Sequence, residues 1–153
     1  MLVTRRALVA ATLALPFAGT ALSPVFARES TIFAPGGVAI SGYDPVAYFT
    51  EGRPVPGHAG HALMWRGATW YFATATTREA FEMNPIAYTP QYGGHCAGAM
   101  AKGIVAASVP EAFAVYDGRL YLYASTEVRT TWSADIAANV ASADATWSAA
   151  INP

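Results

Sequence analysis

From His61 to Ala73 the apolar and aromatic residues fall in two short runs, His61-Ala62-Leu63-Met64-Trp65 and Thr69-Trp70-Tyr71-Phe72-Ala73. Arg66-Gly67-Ala68 separates them, and the pattern predicts an antiparallel hairpin. A second pair of runs, Phe113-Ala114-Val115-Tyr116 and Leu120-Tyr121-Leu122-Tyr123, brackets Asp117-Gly118-Arg119 and carries the clearest hairpin signal in the chain. Between the runs the pattern turns helical. Thr76 and Glu79 predict a capping box that opens a helix over 77–84, closed by Asn84-Pro85. Pro85 and Pro90 keep the segment from Ile86 to Gln91 extended or turn-like. Gly93-Gly94 leads into an apolar, small-residue helix over about 95–102, with Gly103 as its stop. Ser125 predicts the cap of a helix reaching about Trp132. A last helix, from about Ala134 to Trp147, spaces Ile136, Val140, Ala143 and Trp147 three to four apart.

Ahead of the hairpins the signals are shorter. Val38-Ala39-Ile40 predicts a brief strand. Asp44-Pro45 predicts a helix start, with Asp44 as N-cap and Pro45 at the first helical position. Residues 52–60 hold two prolines and three glycines, which predicts a loop carrying His58, with His61 just beyond. These elements make an α+β domain: a small antiparallel sheet of hairpins packed with short helices and a C-terminal helix. No internal repeat and no second domain is legible at this level.

Composition adds an export leader. Thr4-Arg5-Arg6 followed by an uncharged Ala/Leu-rich run to Val25-Phe26-Ala27 reads as a cleaved signal peptide over 1–27. Its paired arginines fit the twin-arginine type, and Pro16 and Gly19 break the run against a permanent membrane span. The expected location is periplasmic or otherwise exported, with no membrane anchor after cleavage. Residues 28–37 form a lead-in and 149–153 a tail. Losing Arg5 and Arg6 takes nine basic residues to seven against ten acidic, about −3 for the mature side chains. With no basic run, nucleic acid is excluded as a partner, and no other partner is indicated. Apolar residues at 54% and charged ones at 12% give a real core without staples. A single cysteine, Cys96, excludes an internal disulfide.

Several pieces together resemble an exported YHS-domain protein of the long bacterial subgroup. They are Ser41-Gly42-Tyr43-Asp44-Pro45-Val46-Ala47-Tyr48-Phe49, Trp70-Tyr71-Phe72, Phe81, Asn84-Pro85, Tyr88, Tyr92-Gly93-Gly94, Cys96-Ala97, Asp117-Gly118-Arg119-Leu120-Tyr121-Leu122 and Ala143-Asp144-x-x-Trp147. The resemblance spans about 38–148. It implies Asp44, Pro45, Gly93 and Gly94 as motif residues, and the wider family implies metal binding. The cysteines of the short YHS modules fall here on Ala47, Ala73 and Thr77, so that thiol set is not carried over.

Three functional readings stay open. In the first, Cys96 and Met100, four apart on one helix face, supply soft sulfur ligands for copper or a similar metal, with His95, His58 and His61 assisting. The same two residues also fit ordinary core positions. In the second, Tyr48 and Tyr92 line a pocket of a non-catalytic small-ligand or partner-binding module. In the third, Cys96 with His58 or His61 forms a thiol-dependent enzyme. No carboxylate or asparagine is assigned to orient the base, which leans the chain away from catalysis.

Overall fold

The computed structural model describes residues 31–151. The leader at 1–27, the first part of the lead-in and the last two residues lie outside the described residues. Strand β1 (His58–Trp65) pairs antiparallel with β2 (Ala68–Phe72), and β3 (Val109–Tyr116) pairs with β4 (Arg119–Tyr123). The hairpins form two separate two-stranded sheets. Both turn on two residues in the left-handed region, Arg66-Gly67 and Asp117-Gly118, a geometry whose twist matches that of the flanking strands.

Among the described residues six α-helices accompany the hairpins: α1 (Ala47–Thr50), α2 (Ala75–Met83), α3 (Pro85–Tyr88), α4 (Ala97–Met100), α5 (Thr126–Ser133) and α6 (Ile136–Ile151). The fold is mixed α+β with a C-terminal helix. No helix among the described residues is long and apolar enough to cross a membrane.

Local chemistry moves several boundaries. Helix α2 is capped by Thr74, not Thr76. Thr74 leaves β2 extended, its hydroxyl accepts the Thr77 N–H at 3.1 Å, and the Thr77 hydroxyl accepts the Thr74 N–H at 3.3 Å. Glu79 stays exposed. Of the expected strand at 38–40, only Val38 bridges to Thr69, because Ile40 and Ser41 take positive φ in a 3-10 turn. Helix α1 begins at Ala47, so Pro45 precedes it, although Asp44 Oδ1 still accepts the Val46 N–H at 2.9 Å. His58 lies on β1, not on a loop. Gln91–Gly94 forms a 3-10 turn with Tyr92 and Gly93 at positive φ, which leaves Cys96 as the non-helical N-cap of the short α4.

Two apolar clusters share β4 as a wall. Leu120 and Leu122 point into the first, with Ile40, Val46, Tyr48, Trp70, Phe72 and Phe81. Tyr121 and Tyr123 point into the second, with Tyr92, Cys96, Met100, Trp132 and Ala143. Alternation along one strand thus serves both clusters.

The chain is also internally repeated. His58 pairs with Phe72 and Val109 with Tyr123; Ala62 pairs with Tyr71 and Phe113 with Leu122; each pair recurs 51 residues on, with the same irregularity between them. Helix α2 starts at Ala75 and α5 at Thr126, the same offset. Each unit is preceded by a left-handed turn, Ile40-Ser41-Gly42 or Tyr92-Gly93-Gly94. The repeat escapes a sequence reading because the halves share backbone and hydrogen bonds while differing in side chains.

Candidate functional site

Cys96 is 1% exposed. Its sulfur accepts the Ala124 N–H at 3.2 Å, and its own N–H donates to Ala106 O at 2.9 Å. The equivalent place in the first half is Asp44, whose Oδ2 accepts the Ala73 N–H at 2.8 Å. Both residues tie the end of a hairpin to the turn that precedes it. As the N-cap, Cys96 lies outside the helix proper, so its spacing to Met100 does not place both on one helical face. Met100 is buried in the same cluster.

The histidines are elsewhere. His95 is half-buried, its ring 5.7 Å from Phe33 and 6.3 Å from Trp147. His58 and His61 sit on β1 of the other hairpin. Among the described residues, no three His, Cys, Asp or Glu side chains gather to hold a metal. The residues present do not fit a soft-metal centre, since the one thiol is enclosed and already accepts a backbone N–H. Enclosure also withholds that thiol from a substrate.

Substitution separates structural from chemical roles. Cys96→Ala should cost about 1–3 kcal/mol because the Ala124 N–H loses its acceptor, whereas Cys96→Ser keeps one and should cost less. Urea unfolding of the two variants checks the order. Thiol labelling of the folded wild type should be slow and should accelerate as the protein unfolds.

Tyr48 and Tyr92 do not share a pocket. Tyr48 belongs to the first cluster, donates to Pro110 O at 3.1 Å and meets Phe113 edge-on at 4.8 Å. Tyr92 belongs to the second cluster and donates to Asp144 Oδ1 at 2.9 Å. Beside Tyr92, with Thr31, Gln91 and Trp147, runs a surface cleft of about 400 Å³. Gly93 and Gly94 are structural: Gly93 O accepts the Phe33 N–H at 2.9 Å, and a Cβ on Gly94 would stand 2.6 Å from Ile40 Cγ2.

Burial raises the hydroxyl pKa of Tyr48, Tyr92 and Tyr123, and for Tyr92 the hydrogen bond to Asp144 raises it further. The folded values lie above the unfolded one, near 10. The stabilisation is therefore complete below about pH 10 and is lost as pH climbs beyond it. Phenolate absorbance should show these three tyrosines titrating only together with alkaline unfolding.

A larger cleft, of about 510 Å³, opens between α4, α5 and α6. Gly98 and Lys102 line it from the α4 side, Val128 and Trp132 from α5, and Asn139 and Ser142 from α6. The Thr146 hydroxyl donates to Met100 O at 2.5 Å and ties α6 to the end of α4. Asn139 Nδ2 donates to Trp132 O at 2.8 Å and sets the turn between α5 and α6. Trp132 is 4% exposed and Tyr123 0%, yet among the described residues the Trp132 Nε1–H and the Tyr123 hydroxyl have no hydrogen-bond partner. Sequence reasoning did not single out this pair. The available signal was a Tyr and a Trp at positions that carry Phe in the first half.

Comparison with protein-family models, curated proteins and solved structures found no match to this chain.

Proposed function

We propose that this chain is an exported, non-catalytic binding module of the YHS type, taking a small amphipathic molecule in the cleft between α4, α5 and α6. Export rests on the leader sequence and the family on its motif resemblance. The observation that carries the binding role is the cleft itself. Its volume of about 510 Å³ falls in the range of small-molecule sites, which combine apolar walls with a few polar groups. Trp132, Val128 and Gly98 supply apolar wall, while Lys102, Asn139 and Ser142 supply polar contacts.

The test is a titration of ¹⁵N-labelled protein with benzamide, benzoate, benzyl alcohol and benzylamine. The Trp132 indole signal is assigned by its loss in Trp132→Phe. Binding should move that signal together with the amides of α5 and α6. Shifts scattered over the surface, or none, would end the cleft reading. A parallel Cu(I) titration is expected to show nothing tighter than micromolar, and a tight stoichiometric site lost in Cys96→Ala would return the metal reading to first place.

A further inference from the structure

Resting on that reading, we propose that the second half is the binding member of the internal pair, and that its ligand presents a carbonyl or carboxylate oxygen to the Trp132 N–H and the Tyr123 O–H. The first half serves as an internal control. Phe72 and Phe81 lie 5.2 Å apart there, and Tyr123 and Trp132, the same positions 51 residues on, also lie 5.2 Å apart. Trp70 stands 5.1 Å from Phe81, and its counterpart Tyr121 stands 5.3 Å from Trp132.

The packing is shared, but the chemistry is not. In the first half both rings are hydrocarbon, and the indole of Trp70 donates to Trp65 O at 3.1 Å. In the second half the same two positions carry an O–H and an N–H, both buried and without an acceptor among the described residues. Buried donors are ordinarily paired, and leaving them unpaired is unfavourable. Since the fold accommodates Phe at both places in its first half, packing alone gives no reason for the polar atoms. An acceptor arriving with a ligand does.

The placement agrees. Trp132 Cδ1, the atom bonded to Nε1, lies 3.9 Å from where a Cβ on Gly98 would stand, and Cys96 Sγ lies 3.8 Å from the same point. The pyrrole edge of the indole therefore faces the α4 wall of the cleft. A Val128 methyl closes over Gly98, so the acceptor reaches the Trp132 donor when Val128 turns aside, and Tyr123, which does not itself line the cleft, stands behind that indole with its ring 5.2 Å away. Burial raises the pKa of Tyr123, which keeps its hydroxyl a donor at neutral pH. An aromatic amide or acid suits such a site, and a ligand with only donors does not.

The experiment compares wild type, Tyr123→Phe, Trp132→Phe and the double variant, with benzamide, benzoate and benzylamine as probes. Benzamide or benzoate should move the Trp132 indole proton downfield in the wild type, and the double variant should bind at least tenfold more weakly. Tyr123→Phe removes one oxygen, so its thermal midpoint should hold or rise while its affinity falls. Binding of benzamide alone would identify a carbonyl ligand and of benzoate alone a carboxylate, and either supports the proposal. Unchanged affinity in Tyr123→Phe and in the double variant, or equal binding of benzylamine, overturns the proposal and leaves the cleft reading standing. If no probe perturbs the cleft in the wild type, both fall. Should the tryptophan variants fail to fold, the wild-type indole shift and Tyr123→Phe still decide.

Discussion

Replacing Asp44 with alanine is expected to lower stability by roughly 3–5 kcal/mol, because a buried and a partly buried N–H group lose their acceptor together. The carboxylate is fully buried. One oxygen takes the Val46 N–H at 2.9 Å and the other the Ala73 N–H at 2.8 Å. The first bond shapes the turn into α1, and the second holds the exit of β2. Water cannot replace the carboxylate without opening the fold around it, and Val46, whose N–H it accepts, belongs to the buried first cluster. Asp44→Asn keeps one acceptor and sets an amide donor against the other N–H, so it should fall between wild type and alanine. Urea titrations read both, and the alanine variant should melt about 10 °C lower or more for a domain of this size. A loss below about 1 kcal/mol in Asp44→Ala would show that the carboxylate is not the anchor described.

The second large effect is Gly57→Ala, which should cost about 3 kcal/mol through overpacking against main chain. A Cβ there would stand 2.6 Å from Tyr71 O and 2.7 Å from Phe72 N. Neither atom can retreat easily. Phe72 pairs with His58 in the hairpin and its ring is wholly buried, while the Gly57 N–H donates to Gly42 O at 2.9 Å. Gly60 supplies the control. It lies three residues further on, within β1, and nothing would stand within 4 Å of its Cβ, so Gly60→Ala should stay within about 1 kcal/mol of wild type. Chemical denaturation of the two variants side by side separates steric conflict from any general intolerance of alanine at the start of the hairpin.

Signals confined to a few residues were legible in the sequence. Asp117-Gly118 and Arg66-Gly67 specify their turns locally, and Ser125 caps α5 by accepting the Val128 N–H at 3.2 Å. Signals settled by partners distant in the chain were not. Thr74 and Thr76 are equally good caps on paper, and the end of β2 decides for Thr74. Val38 is held to one bridge by the left-handed turn behind it, and His58 becomes strand because Phe72 lies opposite. Cys96 attracted attention as the rare residue, yet its environment is that of a backbone anchor. The candidate donors, Tyr123 and Trp132, read in sequence as ordinary aromatic core. Only the matching positions of Phe72 and Phe81 make their polar atoms stand out.

The twin anchors also bear on how the chain acquires its shape. Asp44 and Ala73 are 29 residues apart, and Cys96 and Ala124 are 28. Each contact closes a loop of modest length around its own hairpin, where the entropy lost on closure is small. Each hairpin can therefore close locally, whereas the first cluster is complete only when Leu120 and Leu122 of β4 have joined it. The bond from the Phe33 N–H to Gly93 O then joins the entry of the first half to the turn of the second. Amide hydrogen exchange should accordingly find the amides of β4 opening only with the whole domain, while α5 and α6 on the cleft side loosen at lower cost.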